Sequence, residues 1–327
     1  MNKRRKLFMA LGGVLALPRL ALAQQAERIY RIGWLFSLVN PRTEAYSMAF
    51  EQRLHELGFA EGRNLAIEFR AAEGRIERLP ELAAELARLN CDVFLATGAE
   101  AFLAAFEQAS RDTPIVMIAI DYDPVASGHV ASLARPGGRT TGISVQQLDL
   151  AAKRLELMKE LLPKAKRIAV FSNTGTLGQL KSVQAAAKRL GVALQVVEFK
   201  SAPYDYDSAF AEAVRARAQA LLVLTSSFFV PARRQIPELA LKHRLPSMFG
   251  NAAWANAGGL LSYAPNFSEF YRRAAEQVSL ILKGANPANM PVEQPTQFEF
   301  VINLKTAKAL GVTIPQSIRF RADRVIE

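Results

Sequence analysis

Cysteine is almost absent from this chain. A single thiol, Cys91, among 327 residues excludes an intramolecular disulfide. Histidine is nearly as scarce: His55, His129 and His243 stand far apart, which leaves no Cys/His metal cluster and no structural zinc. Long hydrophobic runs are missing too. The uncharged apolar stretch from Leu7 to Pro18 is too short to cross a roughly 30 Å hydrocarbon core as a stable helix. With 50% hydrophobic and 22% charged residues, the composition is globular rather than that of a polytopic membrane protein. The length corresponds to about two domains, enough to bury cores without staples.

Fingerprints of common α/β chemistry are also lacking. No G-x-G-x-x-G follows the first strand and no G-x-x-x-x-G-K-S/T occurs. Gly142-Ile143-Ser144-Val145-Gln146 lacks the final glycine of a nucleophile elbow. Nucleotide binding and serine hydrolysis lose their usual support. Cys91 opens an apolar strand, as a small core residue does. His55 lies on an amphipathic helix, and His243 ends another, where the helix dipole suits it. The role of His129, which follows the run 123–128, stays open, and catalysis is not expected there. No catalytic residue, metal or cofactor is expected.

What is there begins with a leader. Residues 1–23 read as a secretory signal: Lys3-Arg4-Arg5-Lys6 is a basic start, the apolar run follows, and Ala21-Leu22-Ala23 is an A-x-A cleavage site. Cleavage leaves Gln24 as the new N-terminus and a periplasmic protein. Arg4-Arg5-Lys6-Leu7-Phe8 also fits a twin-arginine pattern, so both that route and general secretion stay open. Removal takes away five bases and no acid, lowering the net charge from +11 to +6. The remaining bases scatter over helix faces beside Glu, as solvated faces do, and a nucleic-acid partner is not expected.

From Arg28 onward, short β-rich runs alternate with amphipathic segments, the pattern of parallel βαβ units. Strands at 29–37, 64–70, 92–96 and 115–120 with helices between them make one doubly wound lobe. Pro136-Gly137-Gly138 punctuates the chain, and after a connecting strand at 141–145 the rhythm restarts, with strands at 167–171, 192–198, 220–224 and 246–249. An extended stretch at 258–263, a helix at 268–283 and a strand at 298–302 then remain. The fold class is therefore α/β, with two Rossmann-like lobes joined by three hinge strands near 141–145, 260–263 and 298–302. The expected domains are the signal 1–23, an N-terminal lobe of 24–145 plus about 262–291, and a C-terminal lobe of 146–261 plus about 292–327.

In open parallel sheets, ligands gather beyond the carboxyl ends of the strands. Here those ends carry Ser37 and Asn40, Thr97-Gly98, Asp121 with Asp123, Asn173, Thr225 and Asn251. Each alone fits a helix cap. Together they suit a small polar ligand in a closing cleft. If that ligand is an amino acid, Asp121 or Asp123 takes the ammonium, Thr97, Gly98 and Ser37 offer donors to the carboxylate, and Asn173, Thr225 and Asn251 close from the second lobe. Asp123, just ahead of Pro124, also fits a cap for the turn that follows. Trp34, Phe36, Tyr122, Phe228, Phe229 and Trp254 lie at or near strand ends, where a flat ligand stacks, although Trp34 fits a core position better.

Seven blocks carry a family resemblance: 57–64 (Leu57-Gly58-Phe59-Ala60-Glu61-Gly62-Arg63-Asn64), 78–86, Asp123-Pro124-Val125, 131–138, Lys153-Arg154-Leu155-Glu156-Leu157, 257–263, and 291–296 through 302–308. In this order they resemble the substrate-binding proteins of bacterial ABC transporters, including those of aromatic-amino-acid type. The resemblance implies a type I periplasmic-binding fold, a small-molecule ligand trapped between lobes, ABC permease subunits as partners, and a monomer. The chain departs from the family where Asn173-Thr174-Gly175 stands in place of Asn-Pro, Ser226-Ser227 in place of Asp-Pro, and 251–254 in place of a charged stretch. Ligand identity does not carry over at those positions. A sensor domain of the same fold requires a helix-turn-helix, and an α/β enzyme requires a fingerprint; the leader occupies the place of the first and the second is missing.

Overall fold

The computed structural model describes residues 28–36, 42, 44–73, 75–201 and 203–327. The expected leader, and with it Ser37 and Asn40, lie outside the described residues. Strands β1 (Tyr30–Phe36), β2 (Leu65–Ala71), β3 (Val93–Gly98), β4 (Ile115–Ala119) and β5 (Thr140–Ser144) form an all-parallel sheet in the order β2-β1-β3-β4-β5. β3 and β4 are buried at every position, as a parallel strand covered on both faces must be. Helices α1 (Ala45–Glu56), α2 (Leu79–Arg88) and α3 (Glu100–Ala109) connect the first four, and a helix-free segment joins β4 to β5. α2 and α3 cover one face through Leu82, Leu86, Phe102 and Phe106.

The second sheet holds β6 (Arg167–Asn173), β7 (Ala193–Phe199), β8 (Ala220–Val223), β9 (Ser247–Phe249), β10 (Leu261–Pro265), β11 (Phe298–Asn303) and β12 (Arg324–Ile326). Its order is β12-β11-β10-β9-β8-β6-β7. β11 runs antiparallel to β10, with Tyr263 opposite Phe300. Helices α4 (Gln147–Leu161) and α5 (Leu177–Leu190) cover one face through Leu155, Met158 and Val183. α6 (Tyr206–Arg215) and α7 (Gln235–Lys242) cover the other through Phe210 and Ile236. A short α8 (Ala252–Asn256) follows β9, and α10 (Leu304–Leu310) and α11 (Gln316–Arg319) flank β12.

Between β10 and β11 the chain returns to the first lobe as α9 (Phe267–Leu282). Asn266 caps it by accepting from Glu269 N, and its apolar face joins Trp34, Phe50 and Leu54 through Tyr271, Ala274 and Val278. Arg53–Glu276 and Arg272–Glu56 pairs at 2.8 and 3.0 Å tie α9 to α1.

The lobes are joined by three crossings: after β5, after β10, and through residues 293–297. Glu293 lies beside β5, donating to Gly142 O at 2.9 Å and accepting from Ser144 N at 2.8 Å. Gly142 is required there: its φ is +140°, and a Cβ would collide with the Met117 backbone. The second crossing sits differently from the sequence expectation. β10 pairs with β9 and β11 along 261–265, so the second crossing begins after Pro265 rather than near 261. Val292 packs in the first-lobe core and donates to Leu133 O, so the third falls just ahead of β11.

Candidate functional site

A cavity of about 60 Å³ lies between the lobes beyond the carboxyl ends of β1, β3, β8 and β9. The first lobe contributes an aromatic wall, with Phe36 ending β1, Tyr46 on α1, and Phe267 and Tyr271 on α9. Tyr46 and Tyr271 lie 4.8 Å apart between ring centroids, and burial raises both phenols above their ordinary range. The second lobe supplies Thr225, Ser226 and Ser227 after β8, Gly250 and Asn251 after β9, and Trp254 on α8. Trp254 stacks on Phe249 at 5.0 Å.

The lobes touch around this cavity. Gly98 (φ +121°) leaves room for Ser227, whose Oγ lies 2.9 Å from where a Cβ would stand. Arg233 Nη1 reaches Glu44 at 2.6 Å across the gap. Phe228, from the turn 227–232 of the second lobe, is buried in the first-lobe core beside Phe102, centroids 5.9 Å apart.

The expected site residues divide into three groups. Thr97, Thr225 and Asn251 line the cavity. The Thr97 hydroxyl is already committed, accepting from Trp34 Nε1 at 3.0 Å and donating to Leu35 O at 3.3 Å, and Trp34 is a core residue at 0% exposure. Asn251 Oδ1 caps α8 by accepting from Ala253 N, and Gly98 serves the lobe contact.

Asp121 and Asp123 instead line a second crevice between the lobes, with Glu100, Thr174, Gly175 and Lys181. Asp121 is 5% exposed and neither carboxylate oxygen has a partner. Burial pushes its pKa up to about 8. Asp123 Oδ1 accepts from Val125 N and Ala126 N and so caps the turn. Asn173 is held within the second lobe, donating to Ser226 Oγ at 2.9 Å and accepting from Gly175 N at 3.1 Å.

Sequence reasoning missed Tyr46, Phe267, Tyr271 and Arg233. The first three lie on helix faces that the apolar spacing assigns to core, and only the return of α9 brings two of them to the cavity. The His129 ring nitrogens lie 2.9 and 3.0 Å from Glu107 and Glu100. Cys91 is buried with its thiol pushed up to about 11.

This architecture matches known proteins along most of its length. Residues 38–326 match the family described as ABC transporter substrate binding protein. A tyrosine-binding protein of Clostridioides difficile is 28% identical over 277 residues, 84% of this chain and 78% of that protein. A conserved domain protein of Vibrio cholerae overlays with a TM-score of 0.82 at 25% identity, covering 91% of this chain and 100% of that one. An ABC domain from Streptococcus pneumonia in complex with L-Trp overlays at 0.80 and 24% identity, with the same coverage. Two wound lobes with a cavity between them, matched by the family along nearly the whole described chain, are those of a solute receptor, and the chain belongs to the ABC transporter substrate-binding protein family.

Proposed function

We propose that the protein is a periplasmic, non-catalytic receptor that captures an aromatic amino acid and delivers it to the permease of an ABC importer. The observation that carries this reading is the cavity wall. Four first-lobe aromatics and Trp254 surround the cavity, and strand-end hydroxyls and amides stand opposite. A flat apolar body stacks against such rings, and a polar head finds hydrogen bonds at the strand ends. Asp121, unpartnered and desolvated in the second crevice, is the acid suited to the ammonium. The relatives named above, one tyrosine-binding and one in complex with L-Trp, agree with this choice. The sequence of the leader supports export.

Calorimetric titration of the chain from Gln24 with L-tyrosine, L-tryptophan, L-phenylalanine and L-leucine tests it. An aromatic amino acid at 100 times its Kd stabilises the fold by about 2.7 kcal/mol. Binding of leucine with no response to the aromatic acids refutes the reading. One observation favours a second class of solute, an aromatic carboxylate without an ammonium: no carboxylate lines the aromatic cavity among the described residues. Phenylpyruvate binding more tightly than phenylalanine decides for that class.

A further inference from the structure

The reading of an amino acid in the cleft leaves open what meets its carboxylate, and a buried cation behind the cavity wall answers. Arg154, on α4, is 1% exposed, and no carboxylate pairs with it among the described residues. Its Nε donates to Tyr263 O at 2.7 Å and its Nη1 to Thr225 Oγ1 at 3.1 Å, while Nη2 is buried without a partner. An uncompensated guanidinium in a dry interior is costly. Burial lowers its pKa to about 9, which leaves it charged at neutral pH.

Two neighbours connect this charge to the cavity. Gly250, in the wall, admits the guanidinium: a Cβ there would lie 2.9 Å from Arg154 Cζ and collide with Thr225 Oγ1. Thr225 stands beside it in the same wall. Its backbone N–H and carbonyl are taken by Gln179 at 3.0 and 2.8 Å. Its hydroxyl oxygen accepts from Arg154, which has only donors to offer, so the hydroxyl proton is turned away from the guanidinium. A donor polarised by a cation behind it is an anion-binding group. Thr97, the corresponding hydroxyl of the first lobe, already donates to Leu35 O.

We infer that Thr225 is the anion subsite of the cleft, with Arg154 as its positioning residue, and that it takes the carboxylate of the solute. The inference rests on the amino-acid reading but does not need the aromatic ring. The test titrates L-tyrosine, L-tryptophan and L-leucine, each against its own α-amide, which keeps side chain and ammonium and removes the anion. The wild type prefers acid to amide by roughly 10- to 100-fold. Thr225→Val, close in shape, abolishes the preference, Thr225→Ser restores it, and Arg154→Met reduces it. Should Arg154→Met not fold, the two Thr225 variants decide alone. Leucine binding with its acid preference intact, and no response to the aromatic acids, supports the subsite while refuting the aromatic ring. Equal affinity for acid and amide, no binding of any acid, or an unchanged preference in Thr225→Val overturns the inference.

Discussion

Asp121 holds a buried carboxyl whose oxygens have no hydrogen-bond partner, and burial pushes its pKa up to about 8. An acid whose folded pKa is raised is neutral in both states at low pH. As pH climbs from about 4 to 8 the unfolded chain ionises freely while the folded one resists, so stability falls across that window. Asp121→Asn therefore melts higher than the wild type at pH 7.5 and converges with it near pH 4. Parallel melting profiles of the two proteins, measured calorimetrically, count against this. The same variant weakens an ammonium-bearing solute by roughly 10- to 100-fold and leaves phenylpyruvate unaffected. The strand-end acid was legible because alternation of strand and helix locates such ends. Its lack of partners was not, since that depends on Gly175 closing from the other lobe. Tyr271 was illegible for a related reason: nothing local links α9 to β1, more than 200 residues earlier in the chain.

Among the elements, α3 is stapled to the turn after β4 by His129, which lies between Glu107 and Glu100. The hydrogen bond to Glu107, and then that to Glu100, raise its pKa above 6.5 against the opposing effect of burial. A raised histidine contributes stability that is full below 6.5 and lost as pH rises through the folded value. Amide exchange in α3 should quicken through that window, and His129→Gln should flatten the response; an unchanged profile in the variant refutes the staple. Element identities were largely legible. β4 is a wholly apolar run, and α5 ends at Gly191, whose φ of +64° stops the helix. α8, α11 and β12 are three to five residues long and leave no periodicity to read. The membership of β10 depends on pairing with β11, a partner some 40 residues onward, which spacing does not reveal.

At the scale of the molecule, contacts between lobes are made by Ser227 against Gly98, Arg233 to Glu44, and Phe228 in the first-lobe core. Saturating solute should hold the chain in this compact form, and small-angle scattering should show a smaller radius of gyration than without solute. No difference, with the solute-free protein open by an independent distance measurement, refutes hinge closure. Glu44→Gln removes one latch without touching the aromatic wall, and should weaken affinity by roughly two- to fivefold; unchanged affinity shows that the pair contributes nothing to closure. Phe228 acts differently. If the lobes open as predicted, each opening must withdraw a ring from a dry socket into water, and part of the grip on any solute would be stored in a contact the solute never makes. That share would be the same for every cargo, and it would slow loading and unloading alike. Under the proposed delivery to a permease, prising out one phenylalanine would be a handle on release that is indifferent to what is being carried.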